Sequence, residues 1–263
     1  MSTFQRFIKV FAYLLAISLI LSICTGIFQL VNTFIPTTEK VVVEDYYKEF
    51  KNINSLELNI NAADLKIETG EKLTIKASNL VSKIKVKEED GILKVKQNKI
   101  RVNNQSAGFI IITIPSELDN FLLNGGAGKI DIDELNAQKV DLSLGFGNVT
   151  ISNVKFGSTK ISGGAGNIVI EKSLLNNLDL NSGAGNVRIN AEIKGKSSID
   201  CGLGEINLLL GGKEDSYTIN AEKGLGNLTI NNKNYGDKVT YGEGKNIINI
   251  EGGVGNIYIR FQK

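Results

Sequence analysis

A four-residue corner, Gly-x-Gly followed by Asn, Lys or Glu, recurs along this chain at a fixed step. It reads GGAGKIDI from Gly125, LGFGNVTI from Leu144, GGAGNIVI from Gly163, SGAGNVRI from Ser182 and CGLGEINL from Cys201. Looser copies follow, KGLGNLTI from Lys223 and GGVGNIYI from Gly252. The second glycines are Gly128, Gly147, Gly166, Gly185, Gly204, Gly226 and Gly255, with the first five 19 residues apart and later gaps of 22 and 29. A short fixed period restricts a chain to stacked, quasi-one-dimensional windings, because one unit alone cannot bury its apolar side chains.

Aliphatic residues hold fixed places around each corner. Leu123, Leu142, Ile161, Leu180 and Ile199 stand five before the second glycine. Ile130, Val149, Ile168, Val187 and Ile206 stand two after it, and Ile132, Ile151, Ile170, Ile189 and Leu208 four after it. A step of two is the strand period, so each winding is expected to carry short strands with these side chains inward. Each buried aliphatic contributes about 1.5–3 kcal/mol before the entropy of ordering the chain. The paired glycines suit a sharp bend with positive φ or close backbone approach. The residue between them (Ala127, Phe146, Ala165, Ala184, Leu203) is expected to fill that bend. Asn148, Asn167, Asn186, Asn227 and Asn256 follow the second glycine and are expected to form a ladder of amide hydrogen bonds between windings. Asn61-Ala62-Ala63-Asp64-Leu65 looks like a degenerate first copy, with Ala63 in the glycine place.

The block between residues 73 and 115 is less regular. Strands are expected around Leu73, Ile84, Leu93 and Phe109, with a hairpin turn at Glu89-Asp90-Gly91, where Asp and Gly tolerate positive φ. This block is expected to pack beside or over the end of the stack nearest a membrane. The other end is expected to leave the last winding, before Phe261, as an open edge, covered by the insertions 211–216 and 231–237.

Residues 10–31, VFAYLLAISLILSICTGIFQLV, carry no charge and follow Arg6 and Lys9. Their length suits a helix crossing a hydrocarbon core of about 30 Å. The basic residues before them place residues 1–9 in the cytoplasm and the rest outside. A cleaved signal peptide fits less well, since the apolar run is long and no small-x-small site follows. Leu21-Ser22-Ile23-Cys24 approaches a lipoprotein site, but Ile23 is bulky there and apolar residues continue to Ile35. The expected layout is an anchor at 10–31, a juxtamembrane linker at 32–49 and an all-β domain at 50–263, with regular glycine repeats over 121–263. The expected location is the cell membrane, single-pass, with the C-terminal domain extracytoplasmic.

With Arg6 and Lys9 set apart, the remaining chain carries 28 basic and 28 acidic residues. That balance argues against a nucleic-acid binder, which needs a basic footprint. The chain has no histidine, so no imidazole base or His-ligated metal is available. Its two cysteines, Cys24 and Cys201, suggest no disulfide framework. The glycine corner is not a dinucleotide loop, because Ile130 stands where a third glycine is needed and a strand follows. It is not a calcium-binding nonapeptide either, since Ile130, Val149 and Ile168 occupy the place of the ligating Asp. Asp131, Asp133 and Glu134 form a carboxylate group that the next copy replaces with Thr150, Ser152 and Asn153, which reads as a solvated face. No metal and no cofactor is expected.

One segment invites contact. Lys83, Lys85 and Lys87 alternate with Ile84 and Val86, and Lys94 and Lys96 with Leu93 and Val95, so all five lysines share one face of a hairpin. A soluble sheet face has the same pattern. An extracytoplasmic domain would also meet anionic lipid headgroups or phosphate-rich wall polymer, which such a face attracts.

Ile112-Thr113-Ile114-Pro115, Leu118 and the run from Leu122 to Ile132, together with the later glycine copies, resemble a bacterial putative-adhesin β-strand-repeat family of otherwise unknown function. The resemblance spans roughly residues 50 to 263. It implies a β-solenoid, right-handed and β-helix-like, with an N-terminal anchor as in some members associated with envelope stress. It supplies no catalytic residue. The expectation is therefore a non-enzymatic binding or scaffold module at the cell envelope. The alternatives are an accessory regulator acting through a membrane protein partner, and a filament formed by stacking ends.

Overall fold

The computed structural model describes residues 45–98, 108–115 and 117–262. The expected anchor at 10–31 lies outside them, and among the described residues no helix is long and apolar enough to cross a membrane. Residues 46–49 of the expected linker belong to the strand Tyr46–Phe50, which pairs antiparallel with Leu73–Ser78.

Each winding contributes a long strand and a short one, and the windings stack as two parallel ladders. The long ladder runs Ser55–Ala62, Leu118–Ala127, Asn136–Phe146, Lys155–Ala165, residues 174–184 and Lys196–Leu203. The short ladder runs Asp64–Thr69, Ile130–Asp133, Val149–Ser152, residues 168–171, residues 187–191 and Ile206–Leu210. The chain is thus a β-solenoid of one-coil repeats. Register holds the sequence columns together: Leu142 pairs with Leu123 and Ile161, and Ile151 with Ile132 and Ile170. All fifteen aliphatics of those three columns are buried. Polar side chains that enter the core are satisfied by neighbouring backbone. Ser173 Oγ donates to Glu171 O at 2.6 Å and accepts from Val154 N at 3.3 Å, and Ser197 Oγ accepts from Leu178 N at 3.0 Å.

Both ends depart from serial stacking. At the first end, Ile92–Gln97 adds to the long ladder beside Ser55–Ala62, and Phe109–Ile114 adds to the short ladder beside Asp64–Thr69. Outside them lie Ile84–Glu89, then Leu73–Ser78 and Tyr46–Phe50, all antiparallel to their neighbours. The irregular block therefore continues the ladders rather than packing beside them. Asp90 and Gly91 make the hairpin turn with φ of 49° and 76°.

At the other end the last winding is not at the edge. Asn246–Val254 lies between Lys196–Leu203 and Tyr217–Leu225, and Ile257–Phe261 lies between Ile206–Leu210 and Leu228–Ile230. The outermost winding is the one holding Gly226. It is closed by Lys233–Tyr235 and Lys238–Tyr241, which pair antiparallel with its short and long strands. The residues that lengthen the period from 19 to 22 and 29 are accounted for here. The first insertion makes the 3-10 turn Glu214–Ser216, and the second makes these two closing strands.

Candidate functional site

The lysine hairpin is the outer edge of the long ladder. Lys85 pairs with Lys96 and Lys87 with Lys94, around the central Val86–Val95 pair. Strand alternation turns Val95 and Leu93 into the core and leaves the lysines on the opposite face. Like charges directly opposite each other repel. Glu89 relieves part of this, lying 2.8 Å from Lys94 Nζ and 4.0 Å from Lys87 Nζ. Its hydrogen bond with Lys94 holds the Glu89 carboxyl below its ordinary pKa and raises that of Lys94. Lys83, Lys85 and Lys96 are exposed, and among the described residues none of them has a carboxylate at ion-pair distance. The alternation of the five lysines is legible in the sequence; the neutralising role of Glu89 across the turn is not.

The corner columns lie along one edge of the stack. Gly128, Gly147, Gly166, Gly185, Gly204, Gly226 and Gly255 have φ between 125° and 145°, a region open to glycine and strained for other residues. A Cβ on Gly166 would overlap the carbonyl oxygen of Gly147, and one on Gly164 that of Gly145. The residue between the glycines does not fill the bend. The bend resets the strand alternation, and Phe146, Leu203, Leu225 and Val254 point outward with 73, 57, 71 and 47 % of their surface exposed.

The asparagines after the corner link windings mainly through backbone. Asn148 Oδ1 accepts from Asn167 N at 3.1 Å and Asn167 Nδ2 at 3.2 Å. Asn167 and Asn186 accept from the next winding's N–H, Asn186 N and Glu205 N, at 3.0 Å each. Asn256 accepts from Asn227 N at 2.9 Å, and Asp64 plays the same part toward Lys129 N at 2.8 Å. Through these bonds the side-chain oxygens tie each winding to the next.

Acidic groups are similarly occupied or spread out. Asp131 pairs with Lys129 at 2.7 Å. Asp133 accepts from Asn153 and Ser152, each at 2.8 Å, and these bonds keep its carboxyl below the usual range. Glu134 turns the far corner with φ of 56°. Asp200 is different: burial, then Glu251 and Asp179, push its carboxyl up. Ionisation of Asp200 therefore costs folding stability, and that cost vanishes once pH falls below its unfolded pKa. Asp200→Asn is expected to raise the thermal midpoint at neutral pH by a few degrees at most and to lose that gain in acid; equal shifts at both pH values would contradict the assignment. Cys201 is buried and its thiol is pushed up by burial. Among the described residues, no three His, Cys, Asp or Glu side chains are arranged to hold a metal ion.

Residues 53–251 match the family model described as Toastrack DUF4097. In structure the chain is similar to a putative adhesin from Bacteroides fragilis, at 18% identity and TM-score 0.56, covering 85% of this chain and 98% of that one. It is also similar to a putative cell adhesion protein from Clostridium sporogenes (20% identity, TM-score 0.37, 83% and 99% covered). A putative lipid binding protein from Parabacteroides distasonis is similar at 14% identity and TM-score 0.46, with 82% and 96% covered. No curated protein matches in sequence.

Proposed function

The chain belongs to the Toastrack family, and we propose that it is a non-enzymatic binding module of the bacterial cell envelope. In this reading residues 10–31 hold it to the membrane, the repeat domain lies outside, and the lysine hairpin meets an anionic surface: lipid headgroups or phosphate-rich wall polymer. The observation that carries it is the face formed by Lys83, Lys85 and Lys96. These cations have no acidic partner among the described residues and stand at the charged edge of a sheet whose other side is core. The uncharged length of residues 10–31 behind Arg6 and Lys9 supports the anchor. The filament reading has less support, because each end of the stack finishes in antiparallel strands carrying charged residues, an arrangement that discourages edge-to-edge growth.

The test reconstitutes the full chain in neutral-lipid vesicles through residues 10–31 and measures its capture of a second, protein-free population of neutral or anionic vesicles, and of purified wall polymer. Each lysine near an anionic surface contributes on the order of 1 kcal/mol. The triple variant Lys83→Glu, Lys85→Glu, Lys96→Glu is therefore expected to bind the anionic surface about a hundredfold more weakly or worse. Raising the salt concentration should reproduce much of that loss in the unmodified chain. Equal binding by the variant and the unmodified chain would remove the proposal.

A further inference from the structure

Six large hydrophobic side chains stand exposed among the described residues, and four of them, Phe146, Leu203, Val254 and Leu225, lie on the corner edge. Cross-winding pairing places the residues between the glycines in a single file. Its order is Ala127, Phe146, Ala165, Ala184, Leu203, Val254, Leu225. At about 4.8 Å per step the file is roughly 29 Å long. Each side chain is flanked by glycines and so stands free of its neighbours along the chain. A continuous exposed apolar strip of this kind marks an interaction surface.

The order of sizes in the file identifies the partner. Reversed end for end, it reads Leu, Val, Leu, Ala, Ala, Phe, Ala. Laid antiparallel on a second copy with Ala184 on the two-fold axis, Leu225 meets Ala127, Leu203 meets Ala165, and Val254 meets Phe146. Two large-on-small contacts and one contact between large side chains, Val254 on Phe146, then occur twice across the axis, as an isologous interface requires. Laid parallel, every residue meets its own copy. Leu203, Val254 and Leu225 would meet end on and hold the two Ala165–Ala184 stretches apart, leaving voids.

The flanking charges favour the same choice. A two-fold axis across the stack brings like faces together. On the Asn flank, Glu205 then faces Asn167 and Lys129 faces Asn227. On the other flank Asp200, Glu251 and Glu222 face Ser162, Ser143 and Asn124. No like charges meet. In the parallel arrangement opposite flanks meet within one winding, which sets Asp200 beside Glu205, two acids.

We propose that this edge is a self-association surface on which two copies of the chain pair antiparallel, centred on Ala184. The strip is narrow, at the low end of interface sizes, so the dimer is expected to be weak. The test uses the full chain with Cys24→Ser and Cys201→Ala, in detergent and in vesicles, with a short thiol-to-thiol cross-linker. Ala184→Cys is expected to cross-link to its own copy. Leu225→Cys alone is expected not to, whereas Leu225→Cys with Ala127→Cys is. Leu203→Asp, which enters the interface twice, is expected to weaken association at least tenfold in sedimentation equilibrium, with the thermal midpoint unchanged because the site is exposed. Self-linking of the single Leu225→Cys variant would overturn the antiparallel pair in favour of a parallel one. A monomer that fails to cross-link in either medium overturns the proposal. So does a monomer whose vesicle-held form captures protein-free neutral-lipid vesicles and loses that capture on Leu203→Asp, which would assign the strip to lipid.

Discussion

Gly166→Ala is expected to cost the domain about 4 kcal/mol or more, while Gly236→Ala leaves its denaturation midpoint essentially unchanged. Both substitutions add one methyl group, and the difference lies in what that methyl meets. At Gly236 there is nothing within 4 Å. At Gly166 the Cβ falls on the carbonyl oxygen of Gly147, and the backbone has φ of 140°. Backbone held in such a region by a residue with a side chain costs on the order of 1–3 kcal/mol by itself. The overlap adds to this, because Gly147 cannot step aside freely: its N–H donates to Ala165 O at 3.0 Å, and the Gly166 N–H donates to Ala184 O at 2.9 Å. Relief of the clash lengthens both bonds and opens the windings on either side. Urea unfolding followed by far-ultraviolet circular dichroism separates the outcomes. A Gly166→Ala midpoint equal to that of Gly236→Ala would show that the corner does not need glycine.

Removal of residues 246–263 is expected to release the outer windings as a block, because those residues lie between two others. In a serial stack, trimming the last winding would bare the one before it and leave the rest intact. Here residues 217–230 keep no parallel neighbour once Asn246–Val254 and Ile257–Phe261 are gone. Four buried aliphatics, Ile248, Ile250, Ile257 and Ile259, leave with them. At about 1.5–3 kcal/mol each, that loss rivals the whole stability of an ordinary domain. The Tyr217 ring also loses Phe261, 5.7 Å away. Hydrogen exchange should show residues 217–241 unprotected and residues 118–194 still protected, since stability in stacked repeats is set by nearest neighbours. Protection surviving at 217–230 would mean that the outer winding docks without its neighbour.

That interposed winding also marks where the sequence stops being legible. The corner glycines, the three aliphatic columns and the Asp90-Gly91 turn follow from local rules, because period-two burial and positive φ leave a mark in residue type. The order of windings leaves no such mark. The Gly226 and Gly255 copies present the same columns, so either fits against the Gly204 winding. The choice rests on how the residues after Ile230 close the end, through the Tyr235–Tyr241 edge contact and the pairing of Lys238 with Glu222 at 2.8 Å. The outward turn of the middle residues of the corners is hidden in the sequence for a related reason. Phe146 and Leu203 are apolar, and apolar residues go inside when strand alternation continues. The bend interrupts that alternation ahead of the middle residue, since Leu144 packs against the core and Phe146 is exposed, and composition alone does not report its phase. The lysine face is legible as a pattern, whereas which of its lysines meet Glu89, Lys87 and Lys94 but not Lys83, Lys85 or Lys96, depends on how Glu89 folds back across the turn.

The first and last strands of the solenoid are held very differently. Among the described residues Tyr46–Phe50 is the outermost strand of its ladder and is bonded to Leu73–Ser78 alone, while Ile257–Phe261 is gripped from both sides. Tension entering through residue 45 would unzip a five-residue strand bond by bond, and tension entering through residue 262 would have to shear a strand out from between two others. Under load the domain should therefore yield first at its beginning, lengthening by one short strand while the solenoid core stays wound.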